Sequence, residues 1–224
     1  MRVKRHIIEK FERNPVTYVR NKGYIYKYRH GCIWRMKLKK WYKKEYHWKL
    51  YYELECGVIQ RCLINTAKSF LGYYECSGDK PKSYKKILDI YNTHKPLPRG
   101  YKVAPHDSWG AVFVSAVAIK AGCDKIIPLE CSCFYMMHEF KVWNQWHPKS
   151  EGYKPRPGDV VFFQWSLPIS PSNYYPEQVG IVHFYDSTGI WCFIGNSGPN
   201  KEVSEKHYLY SFVLGYGEVR WWNI

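Results

Sequence analysis

Asp107-Ser108-Trp109-Gly110-Ala111-Val112-Phe113-Val114-Ser115-Ala116-Val117-Ala118-Ile119-Lys120-Ala121-Gly122 is the stretch that decides the fold. From 111 to 121 it is apolar almost all round, and it stops at a glycine. A short helix with no polar face cannot lie on a surface, so this one is expected in the centre of a domain. Asp107 and Ser108 stand where capping residues stand, and both are expected to cap its first turn.

Helices are expected ahead of this segment at 58–71, ending before Gly72, and at about 82–92, with Ile87, Leu88 and Ile90 on a core face. Pro96, Pro98, Gly100 and Pro105 enforce a loop between the second of these and the central helix. Beyond it a helix is expected at 131–143. From Pro155 the texture changes to short apolar runs at 160–163, 179–185, 190–194, 208–213 and 216–221, which read as strands. Asp186-Ser187-Thr188-Gly189 reads as a hairpin turn. Helices first and antiparallel strands afterwards define an α+β fold.

The first quarter is physically different. Of the chain's net +15, nearly all comes from residues 1–50, where 16 Lys and Arg face only Glu9, Glu12 and Glu45. Residues 16–28 alternate as a β-hairpin whose turn uses Gly23, whereas the aromatics of 33–55 fit neither helix nor strand period. The charge shift divides the chain into a basic, aromatic-rich segment, 1–56, and a domain, 57–224. Lys37, Lys39, Lys40, Trp41, Lys43 and Lys44 interleave cations with a flat ring, the ingredients of a polyanion surface. Nucleic acid, bound without sequence readout, anionic lipid and anionic wall polymer are its candidate partners. The alternative is a small subdomain whose lysines merely face water.

No apolar run reaches the ~20 residues of a membrane-spanning helix. The basic start has no apolar stretch behind it, so no signal peptide is expected, and the protein should stay in the cytoplasm or leave it at lysis. Eight cysteines in that setting read as reduced thiols, and their spacing offers no paired C-x-x-C ligand set. Neither metal nor cofactor is expected.

The stretch 107–116 resembles the nucleophile motif of the CHAP family of peptidoglycan amidohydrolases, especially its phage-endolysin-like branch, which runs Asp-x-Trp-Cys-Ala-x-Phe-Val-Ser-Ala. Tyr84-Lys85-Lys86-Ile87, Tyr91-Asn92-Thr93-His94-Lys95-Pro96-Leu97, Ile126 through Cys133, Pro157-Gly158-Asp159-Val160-Val161-Phe162-Phe163, Val179-Gly180-Ile181-Val182, Gly195-Asn196 and Gly215-Tyr216-Gly217 follow in the family's order. The resemblance covers roughly residues 60–221. It implies a papain-like fold, with a buried central helix packed on an antiparallel sheet.

It also implies a site. In such a site a cysteine at the helix head gains thiolate character from the helix dipole, a histidine on the sheet moves the proton, and a polar residue orients the imidazole. By position, the nucleophile slot is Gly110, the histidine slot Gln178, a Glu slot Ile194, and the orienting residue Asn196. Ser108, Trp109 and Glu177 complete the expected pocket. An amide cannot take a proton near neutral pH and glycine cannot attack, so three of these four positions have lost their chemistry. Losing one member of a covalent triad already costs about 10⁴–10⁶ in kcat.

His183 lies five residues beyond Gln178 on one strand and so points oppositely. His106 and Ser108 flank the helix start, too close in sequence to meet usefully. Cys76 and Cys123 read as buried thiols. The resemblance thus points to a degenerate, phage-endolysin-like protein that binds a peptidoglycan-like or other ligand without cleaving it. Two alternatives remain: an active hydrolase with a rearranged site, and a polyanion-binding protein using the fold as a scaffold.

Overall fold

The computed structural model describes residues 19–21, 24–29, 32–37, 49–53, 55–76, 80–166 and 175–221. Two compact units follow one another, Met1–Arg61 and Cys62–Ile224.

The first unit contains a four-stranded antiparallel sheet in sequential order, β1 (Val19–Asn21), β2 (Tyr24–Arg29), β3 (Cys32–Lys37) and β4 (Lys49–Glu53). β1 and β2 pair from Val19↔Tyr26 to Asn21↔Tyr24, so the hairpin is present, while the turn assigned to Gly23 lies outside the described residues. The ambiguous stretch resolves as strand at both ends, β3 and β4, because each pairs with a neighbour that shares its period of two. Lys37 ends β3. Lys39, Lys40, Trp41, Lys43 and Lys44 lie outside the described residues.

Helix α1 (Glu55–Ser69) contains the division between the units, which falls after Arg61. The second unit then has α2 (Lys85–Thr93), α3 (Gly110–Lys120), α4 (Cys133–Val142), β5 (Trp146–Pro148), β6 (Val160–Phe163), β7 (Gln178–Tyr185), β8 (Gly189–Ser197), β9 (Glu202–Leu209) and β10 (Val213–Gly217). The six strands form one antiparallel sheet in the order β5-β10-β6-β7-β8-β9, so the chain is α+β. No helix among the described residues is long and apolar enough to cross a membrane.

The apolar stretch of the sequence becomes α3, buried from Gly110 to Ala118 and packed between α2 and strands β7 and β8. Burial on every side is what its composition demanded. Ser115, its one polar residue there, is fully buried and satisfied: its hydroxyl donates to the Glu130 carbonyl at 2.7 Å and accepts from the Glu130 N–H at 2.8 Å. That pair ties the 126–133 loop to the helix.

β6 is apolar at all four positions because the sheet is covered on both faces. Phe162 meets Phe140 of α4 on the helix side, whereas Val161 and Phe163 join Val182, Ile190, Cys192, Ile194, Val213 and Tyr216 on the other. Tyr153, Tyr208 and Tyr210 pack against that second layer.

Three sequence expectations are corrected. Asp107 and Ser108 do not cap α3: Trp109 is the N-cap, and it makes no side-chain cap bond. The Asp107 carboxylate instead accepts from the Ala104 N–H and the Tyr101 hydroxyl, both at 2.8 Å, which closes its own loop. The run 208–213 is not one strand. β9 ends at Leu209, Tyr210–Phe212 forms a 3-10 turn, and β10 begins at Val213, because the Phe212 carbonyl turns to accept the Gln164 N–H. The run at 216–221 likewise leaves the sheet after Gly217. β9 itself went unread, since an edge strand of Glu, Lys and His with one half-covered face has little alternation to show.

Candidate functional site

The head of α3 abuts the start of β7 and the end of β8. Gly110 is buried, and a Cβ built there would collide with Gln178 Oε1 and lie 3.3 Å from its Cδ. The Gln178 amide therefore occupies the space that any side chain at 110 would need. Both ends of that amide are held by backbone: Nε2 donates to the Gly195 carbonyl at 3.1 Å, and Oε1 accepts from the Val179 N–H at 3.0 Å.

Gly195 lets β8 press against the helix, for a Cβ there would come within 2.5 Å of Phe113 Cβ and 2.8 Å of Trp109 Cζ3. Asn196 follows in the left-handed region, at φ +57°, a conformation asparagine tolerates. Its Nδ2 donates to Ser108 Oγ at 3.2 Å, and its buried Oδ1 has no hydrogen-bond partner among the described residues. Trp109 is fully buried against Tyr84, and its Nε1 is likewise without a partner there. An unmet buried acceptor and an unmet buried donor beside one helix head are uncommon in a settled core.

Ser108, Trp109, Gly110, Gln178 and Asn196 are thus brought together, and Glu177 and Ile194 are not. Glu177 turns away, its carboxylate accepting from the Trp165 N–H at 2.5 Å, the Ser166 N–H at 3.0 Å and the Ser166 hydroxyl. The Ser166 hydroxyl and those N–H groups hold that carboxyl below the usual range. Ile194 lies in the core on the far face of the sheet, beside Gly180, so a side chain there does not enter the pocket.

One neighbour escaped the sequence reading. The Cys133 thiol, at the start of α4, has the Ala111 N–H of the α3 head among its neighbours; burial pushes it up to about 12, with the Cys133 and Ala111 N–H groups pulling the other way. A sulfur therefore stands near Gly110, but as a neutral thiol near pH 7. The Cys131-Ser132-Cys133 triplet was the available signal, and only the packing of α4 against α3 gives it a place.

The other candidate groups lie elsewhere. His183 Nδ1 is 2.5 Å from Glu205 Oε1 on β9 and packs on Phe193. His106 and Ser108 are exposed, and no hydrogen bond joins them among the described residues. Cys123 is buried after the far end of α3, where burial raises its thiol to about 12; Cys76 is half-buried. Among the described residues, no three His, Cys, Asp or Glu cluster so as to hold a metal ion.

Such a site can hydrogen-bond a ligand through amides and helix-head N–H groups. Among the described residues, Gly110, Gln178, Asn196, Ser108 and Trp109 bring it no group that could take a proton from a nucleophile. No family model, no curated protein and no solved structure matches this chain.

Proposed function

We propose that residues 57–224 form a papain-like, CHAP-type domain of the phage-endolysin branch that holds a peptidoglycan-like ligand without cutting it. The ordered motifs from Tyr84 to Gly217 support the family assignment. One observation carries the loss of chemistry: the Gln178 amide fills the space against Gly110, bonded at both ends to backbone. The pocket was not left as a gap where a thiol had been. It was closed by a neutral side chain, and the unmet Oδ1 of half-buried Asn196 beside it is a group a ligand could satisfy.

The test uses purified full-length protein and Gram-positive sacculi. The expected result is co-sedimentation with no fall in turbidity and no release of amino groups or reducing ends. Release that a single side-chain substitution abolishes refutes the reading, and so does absence of binding. The charge of residues 1–50 favours a second activity, retention on polyanions. Reversing Lys39, Lys40, Lys43 and Lys44 to Glu should then lower the salt needed to elute the full chain from heparin; unchanged elution removes that activity.

A further inference from the structure

A second cleft of about 730 Å³ opens at the same end of the sheet as Gln178, but beyond β6, where β10 begins and β5 ends. Its size suits a small organic ligand. Trp146, Phe212 and Met137 contribute apolar surface, and Trp165 and Phe212 are unusually open for large apolar side chains, at 41% and 38% exposure. Lys141 and Lys149 stand on its walls. Neither has a carboxylate partner among the described residues, and no acidic side chain is among those that line the cleft.

The ring geometry narrows the ligand further. Trp165 is already stacked on Phe163, at 5.3 Å and 8°, and is flanked by Tyr208 and Phe212. Trp146 lies edge-on to Phe162 with the Lys141 ammonium 5.6 Å from its ring centroid. The aromatics thus offer edges and partial faces, not the open parallel face on which a nucleobase stacks. Around them, Ser150, Ser211 and Gln164 have side chains that can donate and accept and that make no hydrogen bond among the described residues. A partial ring face, such as the side of Trp165 turned from Phe163, suits the C–H surface of a sugar, hydroxyl and amide groups suit its hydroxyls, and two ammonium groups with no carboxylate partner among the described residues call for negative charge.

We infer that this cleft binds an acidic oligosaccharide, with Lys141 and Lys149 taking its anionic groups. The inference does not rest on the reading of the Gly110 pocket, which uses none of these residues. Calorimetric titration of the full chain with hyaluronan tetrasaccharide tests it. Maltotetraose, AMP and tetraglutamate serve as neutral-sugar, planar-anion and acidic-peptide comparators. Binding of the acidic tetrasaccharide alone is expected, weakened about tenfold or more by K141E/K149E. Because the variant keeps the basic N-terminal segment, the difference reports on the cleft. Phe212→Ala should weaken binding with both lysines in place. Failure of hyaluronan tetrasaccharide to bind, equal binding of maltotetraose, tighter binding of AMP or tetraglutamate, or indifference to K141E/K149E each overturns the inference.

Discussion

Restoring a thiol at the head of α3 is the sharpest test of the site. In Gly110→Cys the new Cβ meets Gln178 Oε1 head-on and Cδ at 3.3 Å, so the end of the glutamine side chain must shift. A shift that clears the Cβ breaks its bonds to the Gly195 carbonyl and the Val179 N–H. Two such bonds are worth about 0.5–1.5 kcal/mol each, and crowding a packed site typically costs about 1–3 kcal/mol. Replacing a helical glycine returns roughly 0.5–1 kcal/mol. The balance is a loss of about 1–5 kcal/mol, or roughly 2–20 °C in Tm for a chain of this size.

Gln178→Ala removes the obstacle, so G110C/Q178A should be more stable than the sum of the two single variants by about 1–2 kcal/mol, a coupling typical of residues in contact. Thermal unfolding followed by tryptophan fluorescence gives all four corners of the cycle. Additive effects, or a single Gly110→Cys variant as stable as the parent, would show that the amide does not fill the slot.

Ser115→Ala should cost about 2–3 kcal/mol in urea unfolding, because it leaves the buried N–H and carbonyl of Glu130 without their partner; a loss under about 0.5 kcal/mol contradicts that pairing. Asp186 accepts from the Thr188 N–H and hydroxyl, the Gly189 N–H and Trp191 Nε1, which hold its carboxyl far below the usual range, the Thr188 hydroxyl most of all. A depressed acid stabilises the fold above its unfolded pKa and is lost as pH falls, so Asp186→Asn should lower stability at pH 7 and flatten its decline below about pH 4. An unchanged acid limb refutes this. Finally, Cys123, Cys133 and Cys192, all raised by burial, should resist iodoacetamide at pH 8 until the protein is unfolded, as peptide mass mapping would show; rapid labelling of Cys133 in the native state would reopen it as a nucleophile.

Much of the fold was legible because α3 and β6 carry their burial in composition: eleven residues with scarcely a polar side chain, then four apolar residues in a row, can only be interior. The strand boundaries after β8 were less legible. The 3-10 turn at Tyr210–Phe212 rests on a hydrogen bond to Gln164, a residue 48 positions away, and no local pattern encodes it. Of the expected pocket, Ser108, Trp109, Gly110, Gln178 and Asn196 meet, whereas Ile194 and Glu177 point elsewhere, because neighbours on a strand face opposite sides and loop carboxylates go to the nearest N–H groups.

By itself, the sequence determined that a helix apolar on every side must be central, that antiparallel strands follow it, and that residues 110 and 178 carry neither nucleophile nor base. These depend only on residue identity and period. The tertiary structure alone decided that the Gln178 amide occupies the space above Gly110, that the Cys133 thiol has the Ala111 N–H as a neighbour, and that two lysines with no carboxylate partner among the described residues line one cleft with Trp146 and Phe212. Each of those joins residues far apart in the chain, and their contact is set by how helices and strands pack, which no local pattern contains.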